Sequence, residues 1–446
     1  MANKLFGTDG IRGVANERLT AQLAFNLGQA FALLLSENAK YKKIIVGRDT
    51  RVSGQMLCGA FVSGLNSMGF SAILPNILPT PALAYLTKTL EVDGGVMITA
   101  SHNPAEHNGL KFYTNTGDKL SISEQKKLEN IYFNIDSFYG CAPLEIGKME
   151  IDDDLLKLWV DHIVSTLQIH SLKGFKIALD TANGASYAVA PYIFKMLGAQ
   201  VICYNTEDDG VNINRDCGST HLENFVSQCV LNGVDFGFSF DGDADRVMVI
   251  DKRGKIIDGT DIMYIFAKYL MQKNELKNNT LVTTIVTNCG LENSLKQYGI
   301  STIRTQVGGI HIQTEMLAND FNLGGEENGH ISVGIVNNES CGITTALFLL
   351  KIVQEENKPI DELLAGLNRS LIANSNIYVS ERQKQEFEKG KLDDLVNELE
   401  TELGAEGRIV LRASGTECLI RTLVEGQDLE KIEKINAILE KAVKEL

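Results

Sequence analysis

The stretch KKIIVGRDTRVSGQMLCGAFVSGLNSMGFSAILPN, residues 42–76, contains the unit from which most of the chain is built. An apolar β-rich run, a polar turn, a helix with apolar residues three and four apart, and a second apolar run follow one another. The same order recurs in residues 175–205 and, more loosely, in 280–309. The units start roughly a hundred residues apart, which is too far for a solenoid and suits α/β domains in series. Any large α/β protein can also contain such units by chance.

The last part of the chain has a different pattern. Residues 361–373 and 383–407 are charged and predict helices, and 408–426 predict two strands around a tight turn. Residues 429–446 have the apolar spacing of a final amphipathic helix. We therefore expect a smaller α+β domain at the end. The predicted domains, all boundaries included, are 1–150, 151–254, 255–368 and 369–446.

Composition narrows the class of protein. A chain of 446 residues is too long for one ordinary core, and the scarcity of proline (7 residues) argues against long disordered linkers. The net charge of −15 argues against a protein whose main role is to bind nucleic acid or anionic membranes. The eight cysteines include no CxxC pair, which favours reduced thiols over a zinc cluster or a disulfide framework. Without an apolar signal core or a membrane-length run, the sequence predicts a cytoplasmic enzyme.

The segment FSFDGDADRVMVID places three aspartates at alternate positions between two apolar runs: Asp241, Asp243 and Asp245. In an extended loop alternate side chains face the same way, so the carboxylates should converge. Like charges so close repel unless a cation lies between them, and Mg²⁺ prefers such oxygen ligands. A calcium loop is disfavoured because Arg246 and Lys252 stand where a glycine and a bidentate glutamate are needed. A solvated acidic turn is the remaining alternative.

In the segment VMITASHNPAEHNGLKFY, residues 96–113, Ser101 lies just after an apolar run. It has no G-x-S-x-G elbow, and no aspartate is set up beside His102, so a hydrolase triad is poorly supported. The donors around it, which include Lys111, suit a loop that handles an anion. The alternative is that Ser101 caps a helix.

Three further loops carry polar groups of interest. Glu326, Asn328 and His330 alternate in NLGGEENGHISVG, where they suit sugar hydroxyls or proton transfer, although a polar hairpin turn explains them equally well. In RIVLRASGTECLIR, small residues and arginines suit a phosphate, with a plain hairpin turn as the alternative. That loop contributes Arg412, Ser414, Gly415, Thr416 and Arg421. Near the start, FGTDGIRG offers Arg12 among glycines.

Together these motifs are far more specific than any one of them. FGTDGIRG, TASHNP with the following NGLK, DGDADR, the GE…GH loop and RASGTE resemble, in order and spacing, the α-D-phosphohexomutase superfamily over the whole chain. The resemblance implies α/β architecture: three similar α/β domains with mixed sheets, then a C-terminal α+β domain with an antiparallel sheet and helices. It also implies interconversion of glucosamine 6-phosphate and glucosamine 1-phosphate, which feeds UDP-N-acetylglucosamine and cell-wall precursor synthesis.

The resemblance assigns roles to the loops. Ser101 carries a phosphoryl group held by Mg²⁺ against Asp241, Asp243 and Asp245, and a sugar 1,6-bisphosphate is the intermediate and activator. The groups expected around the transferring phosphoryl are Arg12, His102, Lys111, Arg246 and His330, with Lys111 or His330 assisting proton transfer. Glu326 and Asn328 are expected to contact sugar hydroxyls, and Arg412, Ser414, Gly415, Thr416 and Arg421 the phosphate that does not react. A small phosphosugar is the expected partner, without nucleic acid or membrane, and a homodimer is suggested.

Some positions depart from the superfamily pattern. Asn328 stands where serine is usual, and Gly309 and Ile310 replace an Asp-Arg pair. Cys341 stands where aspartate is usual, and Ala413 and Cys418 replace prolines. Sugar specificity therefore stays open between glucosamine phosphate and the mannose or glucose phosphates of phosphomannomutase/phosphoglucomutase relatives. An Asp-nucleophile phosphatase using Asp241 and Asp243 is a remote alternative that leaves Ser101 unexplained.

Overall fold

A computed structural model of the protein describes residues 5–7, 9–404, 407–414 and 418–446. These residues form four sheets, each with its own helices, arranged in chain order. The first three sheets mix parallel and antiparallel strands, and the fourth is wholly antiparallel. The predicted fold class is confirmed. Within the described ranges, no helix has the length and apolar character that crossing a membrane requires.

The first sheet has the strand order β1-β5-β4-β2-β3-β6. Its centre is the unit of residues 42–76, in which parallel strands β2 and β3 flank helix α2. Helix α1 begins where the Thr20 hydroxyl accepts a hydrogen bond from Leu23 N (3.1 Å), and α4 begins at a capping box of Ser121 and Glu124. The strands are Ile11–Val14 (β1), Lys43–Arg48 (β2), Ser71–Leu74 (β3), Gly94–Ile98 (β4), His107–Thr114 (β5) and Met149–Ile151 (β6); the helices are Ala21–Ser36 (α1), Val52–Ser67 (α2), Thr80–Thr89 (α3) and Ile122–Phe133 (α4), with 3-10 turns at Ile135–Ser137 and Pro143–Glu145.

The second sheet has the order β11-β10-β9-β7-β8 and follows helix α5. Residues 175–205 form the expected strand, turn, helix and strand. Its strands are Lys176–Asp180 (β7), Gln200–Tyr204 (β8), Phe236–Phe240 (β9), Val247–Asp251 (β10) and Ile256–Ile257 (β11); the helices are Leu155–Leu167 (α5), Val189–Met196 (α6) and Glu223–Asn232 (α7). Strand β11 lies just past the boundary expected at 254, and the domain boundaries themselves stay predictions.

The third sheet has the order β13-β12-β14-β15. Helix α8 starts at Asp258, whose carboxylate accepts hydrogen bonds from Thr260 N (2.9 Å) and Asp261 N (3.2 Å). The strands are Thr280–Thr284 (β12), Ser301–Thr305 (β13), Leu323–Gly325 (β14) and Ile331–Val333 (β15); the helices are Gly259–Gln272 (α8), Cys289–Lys296 (α9), Gly309–Ala318 (α10), Gly342–Glu356 (α11) and Ile360–Leu363 (α12), with a 3-10 turn at Lys277–Asn279.

The fourth sheet has the order β16-β18-β17 and packs on helix α15. The helix predicted over 361–373 is wrong: α12 ends at Leu363, Gly366 has a φ of 91°, and strand β16 starts at Leu371. The helix predicted over 383–407 is two helices, with Gly390 (φ 80°) between them. The strands are Leu371–Tyr378 (β16), Arg408–Ala413 (β17) and Leu419–Gly426 (β18); the helices are Glu381–Glu388 (α13), Asp393–Leu403 (α14) and Leu429–Lys444 (α15).

Every sheet contains an antiparallel pair of strands that are consecutive in sequence. These hairpins are β4–β5, β9–β10, β14–β15 and β17–β18. The first two connections contain Ser101 and the three aspartates, and the GE…GH and RASGTE motifs start at the ends of β14 and β17 and extend along the sequence into the other two connections. Each of the four domains therefore positions its sequence motif at the end of a β-hairpin.

Helix α5 joins the first three sheets into one apolar core. Trp159 on α5 belongs to a buried apolar cluster that contains residues of all three, and α5 packs on both α3 and α11. His162 stacks on Tyr85 with ring centroids 4.2 Å apart, and its Nε2 lies 3.0 Å from the carbonyl oxygen of Val336. The apolar clusters beneath the fourth sheet are separate from this core.

Candidate active site

Ser101 lies at the junction of the first two domains. It follows β4 in a turn that leads directly into β5, so it does not cap a helix, and its φ of 54° is left-handed. Its hydroxyl donates to Asp241 Oδ2 at 2.6 Å and lies 3.3 Å from Nδ1 of His102. The Ser101 side chain is thus aimed at the first aspartate of the DGDADR loop.

The three aspartates are buried and offer oxygen atoms that lie within 4.8 Å of one another. They converge because the loop turns at Ala244, whose φ is 57°, and the extended loop expected from the sequence is wrong. Burial raises the pKa of Asp241 well above its usual range, and Asp245 and Asp243 raise it further. Among the described residues, one oxygen each of Asp243 and Asp245 has no hydrogen-bond partner. Buried, mutually repelling carboxylates with open oxygens fit a hard divalent cation.

Lys111 on β5 supplies positive charge beside this cluster. Its Nζ contacts Asp243 Oδ2 at 2.8 Å, Asp245 Oδ2 at 3.0 Å and Asp9 Oδ2 at 3.1 Å. Burial alone would lower the pKa of Lys111, but these three carboxylates hold it well above its usual value. Lys111 is therefore a buried ammonium whose donors all face carboxylates.

A second layer of charge, not predicted from the sequence, lies behind Lys111. Lys119 joins Asp9 Oδ1 (3.2 Å) to Glu339 Oε1 (3.0 Å), so the network runs from the first domain to the third. Burial raises the pKa of Glu339, while Lys119 opposes that rise. Asp9 was visible inside FGTDGIRG, whereas Lys119 and Glu339 are isolated charged residues in the sequence, without a motif that signals them.

Three other predicted groups border the cluster. Arg12 is ion-paired with Asp9, and Arg246 lies with its Nε 3.8 Å from Asp245 Oδ1. Burial lowers the pKa of His102 to about 4, and the cations Arg246 and Arg12 contribute. The imidazole of His102 is accordingly neutral at neutral pH.

The GE…GH loop faces the same cleft from the third domain. His330 Nε2 lies 2.6 Å from the Ser340 hydroxyl and 3.9 Å from Asp245 Oδ2, while its Nδ1 lies 3.9 Å from Glu326 Oε2. An isolated bridge joins the backbones of Arg246 and His330, which connects the second and third domains here. Asn328 accepts a hydrogen bond from His330 N at 3.1 Å.

Arg412 and Arg421 occupy directly paired positions on β17 and β18. Burial lowers the pKa of Arg412, and Arg421 lowers it further, whereas Glu326 of the third domain opposes the shift. Two cations opposite each other on a sheet repel, so the pair favours an anion between or above them. Ser414 is buried next to this pair. Gly415 and Thr416 lie outside the described residues.

The structure accounts for two of the departures. At Gly309 an added Cβ would lie 2.4 Å from Cε1 of His330, so glycine leaves space for the imidazole. Cys341 caps α11 by accepting a hydrogen bond from Thr344 N at 3.3 Å, a role that aspartate also performs. Ile310 is buried in α10, Ala413 ends β17, and Cys418 contacts Glu381 at 3.0 Å.

Family models match almost the whole chain. They are described as phosphoglucomutase/phosphomannomutase alpha/beta/alpha domain I (residues 3–138), domain II (157–254), domain III (258–370) and C-terminal domain (373–442). The phosphoglucosamine mutase of Clostridium novyi is 42% identical over 446 residues, and that of Acetivibrio thermocellus is 44% identical, with 99% of each chain covered in both comparisons.

Solved structures share the fold. A phosphoglucomutase/phosphomannomutase family protein of Burkholderia thailandensis has a TM-score of 0.82 at 22% identity and covers 98% of this chain and 96% of its own. The N-acetylphosphoglucosamine mutase of Aspergillus fumigatus, solved with GlcNAc-6P and magnesium, has a TM-score of 0.64 at 18% identity, with 93% and 85% covered. The chain belongs to the phosphoglucomutase/phosphomannomutase family and, within it, to the phosphoglucosamine mutases.

Proposed function

We propose that the protein interconverts glucosamine 6-phosphate and glucosamine 1-phosphate through a phosphorylated Ser101. The observation that carries the mechanism is the Ser101 hydroxyl directed at Asp241 within a buried cluster of three aspartates. Phospho-Ser101 gives its phosphoryl group to the free sugar hydroxyl, forming glucosamine 1,6-bisphosphate. After the bisphosphate turns around, the Ser101 oxygen receives the other phosphoryl group and the product leaves.

The three aspartates and the phosphorylated Ser101 would together hold Mg²⁺. The open oxygens of Asp243 and Asp245 support this assignment, and the Aspergillus fold relative was solved with magnesium. When bound, Mg²⁺ supplies positive charge that neutralises the transferring phosphoryl group.

The protein's own cations position the transferring group. Arg12, Arg246 and Lys111 lie around the aspartate cluster; we assign Arg12 and Arg246 to the phosphoryl oxygens together with the neutral His102, and Lys111 to the aspartates that border the transferring group. His330 is our candidate to exchange the proton of the attacking hydroxyl, because the three N–H donors of Lys111 already face carboxylates.

Glu326 and Asn328 are assigned to the sugar hydroxyls, and the arginine pair on β17 and β18 to the phosphate that does not react. The influence of Glu326 on the pKa of Arg412 supports one continuous cleft. Ser414, Gly415 and Thr416 complete this phosphate site in the proposal. The same two sites can serve either end of the bisphosphate, because the sugar reorients between the two transfers.

The proposal includes a cytoplasmic enzyme that acts as a homodimer. All eight cysteines lie in described segments and have free thiols, which supports a reducing compartment. Strand β6 is an edge strand with exposed Met149 and Ile151, which supports an interface there. The mass of the protein in solution, measured by light scattering, tests the dimer.

Intact-protein mass spectrometry before and after Ser101→Ala tests the central claim. The wild type should carry one phosphoryl group after treatment with glucosamine 1,6-bisphosphate, and the variant none. An unphosphorylated wild type under every such treatment would sink the mutase mechanism. Turnover of glucosamine, glucose and mannose 6-phosphates should favour the amino sugar, and release of inorganic phosphate without isomerisation would instead indicate a phosphatase.

A further inference from the structure

Arg51 is a fully buried arginine that contacts the Ser101 loop without reaching the aspartate cluster. It stands at the end of the RDTR segment, just before α2. Its Nε donates to Asp49 Oδ2 at 2.9 Å. The remaining donors hold four backbone carbonyl oxygens of one loop: Ser101 (3.0 Å), Asn103 (2.7 Å), Pro104 and His107 (2.9 Å).

Asp49 extends this arrangement to the other side of Ser101. Its Oδ2 accepts a hydrogen bond from the Thr99 hydroxyl at 2.7 Å, and the Thr99 oxygen accepts one from Ser101 N at 3.0 Å. The peptide groups on both sides of Ser101 are therefore fixed by one buried ion pair. A buried ion pair often adds little to the stability of a fold. Control of the loop geometry therefore explains the Arg51–Asp49 pair better than a contribution to stability does.

A second donor reaches the same carbonyls from the other domain. Asn214 Nδ2 lies 2.8 Å from the Ser101 oxygen and 3.0 Å from the Asn103 oxygen. These contacts converge where Ser101 has a left-handed φ of 54°, a conformation that costs free energy for a serine and needs support from its surroundings.

We propose that Arg51 is a positioning residue for phosphoryl transfer: it holds the Ser101 loop in the left-handed conformation that aims the serine oxygen at the aspartate cluster. The inference rests on the proposed function of Ser101. In-line transfer depends on alignment of the reacting atoms, and a displacement of roughly 1 Å can cost about a hundredfold in rate.

Single-turnover kinetics of Arg51→Lys tests this role. Enzyme loaded with glucosamine 1,6-bisphosphate, with its phosphate counted by intact mass, is mixed with glucosamine 6-phosphate. Lysine cannot donate hydrogen bonds to four carbonyls and Asp49 together, so the transfer rate constant should fall about a hundredfold. The KM for glucosamine 6-phosphate should stay within about twofold of wild type, because the assigned substrate contacts are retained. The matched control is Arg304→Lys in the third domain, which likewise holds two backbone carbonyls and a carboxylate but does not contact the Ser101 loop, and it should transfer at the wild-type rate.

If Arg51 only stabilises the fold, Arg51→Lys should lower the melting temperature and the active fraction but leave the transfer rate constant unchanged. That result would overturn the proposal. Should Arg51→Lys not fold, Asn214→Gly carries the test, since glycine suits the φ of 59° there and removes one donor to the same carbonyls. About tenfold slower transfer would support the proposal, by analogy with the loss of one charge-free hydrogen bond, and an unchanged rate would refute it. If wild type itself takes no phosphoryl group, the proposed function fails instead.

Discussion

At the scale of single residues, the site combines a serine in a strained backbone conformation with buried carboxylates that repel one another unless positive charge lies beside them. The left-handed backbone of Ser101 costs about 1–2 kcal/mol, and the three aspartates repel within a few ångströms. Lys111 compensates part of this negative charge, yet two aspartate oxygens stay open among the described residues. The remaining compensation is assigned to a cation.

Magnesium binding should therefore be measurable without substrate. Adding Mg²⁺ at about 100 times its dissociation constant should stabilise the wild type by about 2.7 kcal/mol, seen as a rise of a few degrees in melting temperature. Asp243→Asn should remove this rise, while Asp320→Asn at an exposed position should keep it. Equal rises in all three proteins would contradict the assigned metal site.

Arg421→Ala should separate substrate binding from phosphorylation of the serine. Loss of one charge-assisted contact to phosphate corresponds to about 1.5–3 kcal/mol, or an increase of roughly 10- to 100-fold in the KM for glucosamine 6-phosphate. The extent of Ser101 phosphorylation at saturating bisphosphate should change little. Arg382→Ala, an exposed arginine of the same domain, is the control; equal loss of binding and phosphorylation would argue against the assignment.

At the scale of elements, close helix packing supports the first domain. Helices α1 and α2 touch through glycines, because a Cβ at Gly28 would lie 2.1 Å from the Phe61 oxygen and one at Gly64 2.1 Å from the Phe25 oxygen. Two backbones can approach this closely only where both side chains are absent.

Gly64→Ala should destabilise the protein by about 2–3 kcal/mol, because the added methyl meets backbone rather than a flexible side chain. Gly59→Ala on the same helix meets nothing within 4 Å and should be stabilising by about 0.5–1 kcal/mol. Urea unfolding of both variants checks the contrast, and similar midpoints would show that α1 and α2 can separate without cost.

Helices α8 and α11 are joined by a carboxylate. Although burial opposes it, Lys351, Tyr269 and Lys273 lower the pKa of Glu355 to about 2. A lowered folded-state pKa contributes stability above the unfolded value near 4.5, and that contribution disappears as the pH falls towards 2.

Glu355→Gln should therefore lower the free energy of unfolding by about 0.5–1 kcal/mol at pH 7, a figure reduced for partial exposure. The difference from wild type should shrink between pH 4.5 and pH 2. Urea midpoints at pH 7 and pH 3 measure it, with the exposed Glu362→Gln as control. A difference that does not depend on pH would show that the charge of Glu355 is irrelevant.

The limits of sequence reasoning are clearest at this scale. Ser101 and the aspartates were predictable because each stands in a contiguous motif beside an apolar strand. Lys119 and Glu339 were not, because their partners are far away in the chain and Lys119 meets Glu339 only where the first and third domains come together. The helix expected over 361–373 failed because charge and apolar spacing continue past Gly366, where the backbone turns and strand β16 begins.

At the scale of the whole molecule, the cores divide the chain unequally. The first three sheets share one apolar core through α5, and the first sheet packs a further, separate cluster against α1 and α2, whereas the fourth sheet has only its own clusters among the described residues. The contacts across the last junction are largely polar: Glu425 accepts a hydrogen bond from Cys289 N (3.0 Å), and Arg408 Nη2 donates one to the carbonyl oxygen of Thr287 (3.0 Å). We expect the last domain to unfold independently of the rest.

Two thermal transitions should result, the smaller with an enthalpy of roughly 50 kcal/mol for a unit of about 75 residues. Trp159 is the sole tryptophan and lies in the shared core, so its fluorescence should follow only the larger transition. Calorimetry combined with tryptophan emission measures this. One transition with coincident calorimetric and fluorescence midpoints would show instead that the last junction couples all four domains.

The four hairpins have a consequence for laboratory evolution of the enzyme. Each functional loop is clamped at both ends by a paired strand, so its sequence can be varied while the framework stays in register. A library confined to residues 326–328 of the connection between β14 and β15 would alter the assigned sugar contacts and leave the serine, its aspartates and His330 untouched. New sugar preferences could thus be selected by diversifying one short connection, without redesigning the phosphoryl-transfer chemistry.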